Sequence, residues 1–172
     1  MSATWDLFIT LFFIVSVSYG LLLGKGKASV ILLSTYVGLA VASETGDIFF
    51  EILKKMGSIS DSFSSSSVFT AKLVVFVAII VLLTLKLEPF DISGAERGLM
   101  ATFLTGLYGF LSGGLILSSI GYFMSEAERA SIFNQSDLAG KIMDFRFWWL
   151  VGPILVLIVA GFIRDRRPPA PK

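Results

Sequence analysis

The sequence predicts an all-α fold, a polytopic bundle of transmembrane helices that forms a single membrane domain over residues 1–172. Of the 172 residues 55% are hydrophobic and only 16% are charged, whereas soluble domains carry about 25% charged residues. The apolar residues gather in runs close to the roughly 20 residues that a helix needs to cross a bilayer. These observations predict four core spans, a fifth span at the C-terminus and an amphipathic helix on the membrane surface.

The first two spans are predicted at about 7–24 and 28–53. No positive charge precedes the first run and no small-residue cleavage site follows it, so we expect it to stay in the mature protein and not to act as a signal peptide. The short connection between the two runs predicts an antiparallel hairpin. Polar residues interrupt the second run near 43–47, which predicts a break in that helix.

The third span is predicted at about 68–87. It follows a serine-rich stretch at 56–67, which we expect to be an exposed loop because its composition cannot bury a core. Pro89 ends the third span, since proline lacks the N–H group that a continuing helix needs. The fourth span is then predicted at about 93–124.

The C-terminal part of the chain mixes polar and apolar segments. Residues 125–146 interleave charged side chains with Ile, Leu and Phe, which is typical of a helix lying along the membrane surface. The fifth span, at 147–163, opens with Trp148 and Trp149, which we expect to anchor it at the interface. The composition of the basic tail at 164–172 predicts disorder.

The distribution of positive charge predicts an orientation. Five spans divide the loops into two sets, and one set holds eight basic residues, Lys25, Lys27, Lys86, Arg97, Arg164, Arg166, Arg167 and Lys172. The other holds six, Lys54, Lys55, Lys72, Arg129, Lys141 and Arg146. Because positive residues close to spans favour the cytoplasmic side, we expect the N-terminus outside and the C-terminus in the cytoplasm.

Small residues recur at steps of three and four along the fourth span, which places them on one stripe of the helix. The glycines predicted to pack against other helices are Gly94, Gly98, Gly106, Gly109 and Gly113 in this span, with Gly20 and Gly24 in the first. In lipid, helices associate through such close contacts. A narrow pore is the alternative, and packing is favoured because no ring of like charges accompanies the glycines.

Glu44, Asp47 and Lys72 form a candidate ionisable cluster. The two carboxylates lie at the predicted break and Lys72 begins the third span at the same level, so an ion pair is possible. A path for protons or cations through Glu44 is one hypothesis. Solvation of all three groups at the interface is the favoured one, because no acidic residue lies at the middle of a span.

The composition excludes several classes of protein. The chain has no Cys and no His, and its net charge is +1. Disulfides, zinc sites with Cys or His ligands, serine or cysteine triads and haem ligation by His are thereby excluded. We identify no catalytic, cofactor or metal site, and we expect a protein that is not an enzyme and that does not bind nucleic acid.

Three short motifs carry a family resemblance. An acidic residue precedes the first apolar run, an acidic residue and an arginine stand before the glycine stripe, and an aromatic-x-x-Ser-x-Leu stretch follows the fourth span. Their key residues are Asp6, Glu96, Arg97 and Ser136. In these motifs, and in hydropathy over about residues 5–145, the chain resembles the colicin V production protein (CvpA-like) family.

The chain departs from that family's pattern at Glu96, where the family has Asp, and in its fifth span. The resemblance implies a bacterial inner-membrane protein linked to colicin export and envelope homeostasis, with no catalytic residues to transfer. We therefore expect a non-enzymatic protein that supports secretion or envelope homeostasis through helix packing, as a homo-oligomer or bound to other membrane proteins, in contact with membrane lipids. A small ion or solute channel or transporter that uses Glu44, Asp47 and Lys72 is the alternative.

Overall fold

The computed structural model describes residues 3–55, 65–87 and 99–165, with side chains at 5–55, 68–87 and 101–159. These residues form six helices and no strand: α1 (Ala3–Lys55), α2 (Ser65–Lys86), α3 (Leu99–Phe123), α4 (Glu126–Phe133), α5 (Asp137–Asp144) and α6 (Arg146–Asp165). The all-α prediction is confirmed.

The chain reverses direction inside α1, at Gly24. Its dihedral angles, φ 78° and ψ 171°, belong to a backbone region that is essentially reserved for glycine. They divide α1 into a first limb, 3–23, and a second limb, 25–55. The first limb runs antiparallel to α3 because Gly20 lies against Gly109 whereas the earlier residue Phe13 lies near Gly113.

The second limb runs in the opposite direction, parallel to α3. Ala28 packs in a cluster with Tyr108 near the start of α3, and Ala42 packs with Phe123 at its end. The two limbs of α1 therefore form the antiparallel hairpin that the short basic connection predicts.

Two predictions about α1 are wrong. The helix continues through residues 43–47, where Thr45 Oγ1 donates to the carbonyl of Val41 at 2.8 Å, a bond that lets a hydroxyl sit inside a helix without breaking it. Gly24 does not pack against another helix, since a Cβ placed there would meet nothing within 4 Å. The break lies at this glycine and not at the polar residues.

Helix α2 packs antiparallel to the second limb. A Cβ at Gly38 would lie 3.2 Å from the Phe76 ring. About two turns later in the limb, Gly46 lies against Lys72, which comes before Phe76 in α2. Phe76 also meets Phe123 of α3 edge to face, with ring centroids 5.5 Å apart. The second limb, α2 and α3 thus share a core of buried apolar side chains.

The single surface helix predicted over 125–146 is two short helices, α4 and α5. Ser125 and Glu128 form a capping box at the start of α4. Arg129 Nε donates to the carbonyl of Gly121 at 3.1 Å, which satisfies one of the carbonyls left unpaired at the end of α3. In α5, Ile142 is buried beside Ile9 of the first limb.

Helix α6 returns along α3 and is bent by 58° relative to α5. The ring of Trp149 lies 5.9 Å from that of Phe13 and 5.3 Å from that of Phe110, and it covers Gly114. Trp149 therefore packs within the bundle, and the prediction that it anchors the span at the interface is wrong. Trp148 is exposed.

Within the described residues, three helices are long and apolar enough to cross a membrane, or four if α5 and α6 count as one bent span. The first of the three, Trp5–Lys55, contains both limbs of α1. The predicted total of five crossings stays a prediction. The start of the predicted fourth span at residues 93–98, the loop at 56–64 and the tail from 166 onward lie outside the described residues.

Candidate functional site

A glycine seam, formed by Ser16, Gly20, Gly109 and Gly113, brings the backbones of the first limb and α3 into close contact. A Cβ at Gly20 would lie 2.9 Å from the Gly109 Cα, and a Cβ at Gly109 would lie 2.7 Å from the Ser16 carbonyl oxygen. Ser16 Oγ donates to the Gly109 carbonyl at 2.8 Å. The seam brings two backbones together with almost no side chain between them, which is how small residues join helices in lipid.

The predicted packing glycines divide into four groups. Gly20, Gly109 and Gly113 lie in the seam. Gly106 lies at its edge, where a Cβ would make an ordinary contact of 3.5 Å with the Leu21 side chain. Gly24 is at the chain reversal, and Gly94 and Gly98 lie outside the described residues.

The sequence analysis did not predict two glycines of α3 that lie in close contact with other helices. Gly114 receives the Trp149 ring, and a Cβ at Gly121 would lie 2.7 Å from Met143 Sδ. Adjacent glycines at 113 and 114 point about 100° apart around a helix. That pair was the available signal that α3 has close neighbours on two sides.

Asp6 and Ser136 meet although 130 positions separate them. Ser136 Oγ donates to Asp6 Oδ1 and accepts the Ala139 N–H at 3.0 Å. Ser136 is the N-cap of α5 and only 2% of it is exposed. One hydroxyl therefore caps α5 and fastens it to the start of the first limb.

The Asp6–Ser136 contact holds α5 against the first limb. The Ser136 hydroxyl has its donor committed to the carboxylate and its acceptor to a backbone N–H. The Asp6 carboxylate lies near the N-terminal end of α5, where the helix dipole favours negative charge. Ile9, one turn along, buries its side chain against Ala139 and Ile142. Polar and apolar contacts thus dock α5 on the first limb together.

The sequence also singled out Glu96 and Arg97 as partners in this motif, and both lie outside the described residues. Of the four motif residues, the structure shows only the contact between Asp6 and Ser136.

The candidate ionisable cluster is only partly assembled. Lys72 Nζ lies 3.0 Å from Asp47 Oδ2, with the two side chains 21% and 63% exposed. The Lys72 stem lies over Gly46, while Glu44 is exposed. An ion pair open to solvent in this way contributes about 0–1 kcal/mol. Among the described residues, no group of three acidic side chains converges as a metal site would need.

A polar cavity of about 410 Å³ lies beside Lys72, with Ser43, Tyr122 and Ser125 in its wall. Phe69 and Phe123 also line it, and both belong to the cluster around buried Ala42 and Phe76. Packed aromatic side chains therefore form part of the cavity wall.

The fold defines an all-helical protein with several long apolar helices of the kind that cross membranes. No model of a protein family, no curated protein and no solved structure matches the chain.

Proposed function

We propose that the chain is a non-enzymatic integral membrane protein that supports secretion or envelope homeostasis by binding further copies of itself or other membrane proteins. The observation that carries the proposal is the glycine seam. Its backbone contacts close the space between the first limb and α3, which favours a packing role for this interface over a polar channel.

The charged groups favour the same function over transport. Asp47 and Lys72 form an ion pair that is open to solvent, and the Phe123 ring forms part of the wall of the cavity beside them. A conducting path needs ligands for its ion along the whole membrane depth. The channel or transporter stays the second candidate because Lys72 lines a polar cavity.

The link to the colicin V production family belongs to this proposal. The Asp6–Ser136 contact supports it, because two residues from separate resembling motifs hold each other. On this basis we place the protein in the inner membrane of a bacterium.

The proposed orientation places the Gly24 reversal on the cytoplasmic side. At that end the described ionisable side chains are Lys25, Lys27 and Lys86, and the acidic side chains among the described residues lie toward the opposite end. The opposite end carries six described basic side chains, Lys54, Lys55, Lys72, Arg129, Lys141 and Arg146, so the proposed orientation depends on the sequence count of eight basic residues against six.

Cysteine labelling tests the orientation, since the native chain has no Cys. In intact cells, a membrane-impermeant maleimide should label Ser65→Cys but not Ala170→Cys, because the two positions are placed on opposite sides. Lysed cells should label both and provide the control. Labelling of position 170 alone would reverse the assignment, and labelling of both in intact cells would require an even number of spans.

The proposed function is tested by flux and by complementation. Liposomes with the purified protein should pass protons and cations no faster than empty liposomes. A strain that lacks the protein should show a secretion or envelope defect, and Glu44→Gln with Asp47→Asn should restore the strain as well as wild type does. A cation flux that Glu44→Gln abolishes would make transport the function. The absence of any secretion or envelope defect would also contradict the proposal.

A further inference from the structure

A groove with a lysine-rich end lies between the first limb and α2. Its volume is about 390 Å³, within the range of about 300–1,000 Å³ that small-molecule sites occupy. Tyr19 forms part of one wall, Val81 and Leu85 form part of the other, and Ala28 and Ser112 also line it. The walls are almost entirely apolar, and exposed side chains form their outer edges.

One end of the lysine-ended groove carries positive charge. Ala28 in its lining directly follows Lys27, and Leu85 in its wall directly precedes Lys86. The second limb and α2 are antiparallel, so these two lysines and Lys25 lie at the same end of the bundle. No acidic side chain lies at this end among the side chains that the structure describes.

Two hydroxyls in the groove have no hydrogen-bond partner. Ser112 Oγ and Thr84 Oγ1 are both buried and unpaired, and Ser112 is only 4% exposed. Because both oxygens are shielded from solvent, they add no hydrogen-bonding site to the wall of the groove, which stays apolar.

We infer that the lysine-ended groove binds one acyl chain of an anionic phospholipid. The acyl chain lies along Val81 and Leu85, and the phosphate is held by Lys27 and Lys86. Each lysine near a membrane surface adds about 1 kcal/mol to the attraction of an anionic lipid. A helix, about 10–12 Å across with its side chains, fits a groove of this volume less well than a single acyl chain. This inference rests on the proposed membrane location and not on the role in secretion.

The preference for an anionic lipid over a zwitterionic one tests whether the lysines at the end of the groove bind the phosphate. The full chain in detergent is mixed with equal amounts of phosphatidylglycerol and phosphatidylcholine, and native mass spectrometry counts the lipid retained by each molecule. Wild type should retain one phosphatidylglycerol in preference. Lys27→Gln with Lys86→Gln should lower that retention on the order of tenfold or more, whereas Lys54→Gln with Lys55→Gln, at the opposite end, should leave it unchanged.

A second variant pair tests the groove with every lysine intact. Val81→Trp fills the groove and should abolish retention of phosphatidylglycerol. Val74→Trp is the matched control on α2, since Val74 is 51% exposed, close to the 48% of Val81, and lies outside the groove lining.

Three outcomes would overturn the inference. Equal retention of the two lipids by wild type would remove the selectivity. Retention unchanged in Val81→Trp would place the lipid elsewhere, on the lysines alone. Loss of a dimer in Val81→Trp, with lipid retention unchanged, would assign the groove to a second copy of the chain.

Discussion

Gly109→Ala should destabilise the bundle by about 1–3 kcal/mol, as an overpacked contact does. The added Cβ would lie 2.7 Å from the Ser16 carbonyl oxygen and 3.1 Å from the Val17 Cα. Both are backbone atoms of the first limb, so the limb itself must move away and the bond from Ser16 Oγ to the Gly109 carbonyl must lengthen. Leucine at the same position should cost more.

Gly106→Ala is the matched control on the same helix. Its Cβ would lie 3.5 Å from Leu21 Cδ2, an ordinary contact with a side chain that can adjust. Alanine stabilises a helix interior by up to about 1 kcal/mol relative to glycine, so this variant should equal or exceed wild type. Sequence spacing treats the two glycines as equivalent members of one stripe, whereas the structure separates them.

The stability of both variants is measured by unfolding the purified protein in mixed micelles of increasing sodium dodecyl sulfate content, which gives a midpoint of unfolding for each. The midpoint should fall for Gly109→Ala and hold or rise for Gly106→Ala. Equal midpoints for the two variants would mean that the glycine seam does not hold the first limb against α3.

The helical hairpin could be predicted from sequence because a local signal, glycines and lysines between two apolar runs, determines it. The predicted break at 43–47 was wrong because local polarity does not decide whether a helix continues. Thr45 satisfies its hydroxyl on the preceding turn, and Gly46 makes room for the Lys72 stem. A local hydrogen bond and a tertiary contact therefore accommodate these residues inside the helix, where composition alone argues against it.

Trp149 shows a second limit of sequence reasoning. A tryptophan at the start of a span is typical of an interfacial anchor, and that prediction uses only the residue's type and its position in the sequence. Its actual place depends on Gly114, whose missing side chain receives the indole ring. Such complementarity between two distant residues has no periodic signal along the chain.

The Asp6–Ser136 contact likewise joins two distant residues that no periodic pattern in the sequence connects. Motif resemblance singled out both residues, yet nothing in their spacing joins positions 130 residues apart. The contact follows from the antiparallel course of the first limb and α3, which brings the start of the chain to the end of α3 and to the helices that come after it. The sequence can mark such residues as notable, and only the assembled bundle shows that they bind each other.

Ser136→Ala should cost about 2.5 kcal/mol, the sum of two losses. Removal of an N-cap hydroxyl costs about 1 kcal/mol, and loss of a hydrogen bond to a charged group costs about 1.5 kcal/mol. Asp6→Ala removes only the second contribution. A double-mutant cycle should therefore give a coupling energy of about 1.5 kcal/mol between the two positions, measured by the same unfolding in mixed micelles.

Ser125 provides the matched control for that cycle. It caps α4 as Ser136 caps α5, but its hydroxyl hydrogen-bonds Glu128 in its own helix. Ser125→Ala should therefore cost a cap and a hydrogen bond to a carboxylate as well, but its cycle with Asp6→Ala should give a coupling energy near zero because that carboxylate belongs to Glu128. If Asp6 couples equally to both serines, the carboxylate acts on α4 and α5 through general electrostatics. Coupling to Ser136 alone would identify the hydroxyl as the group that fastens α5 to the start of the chain.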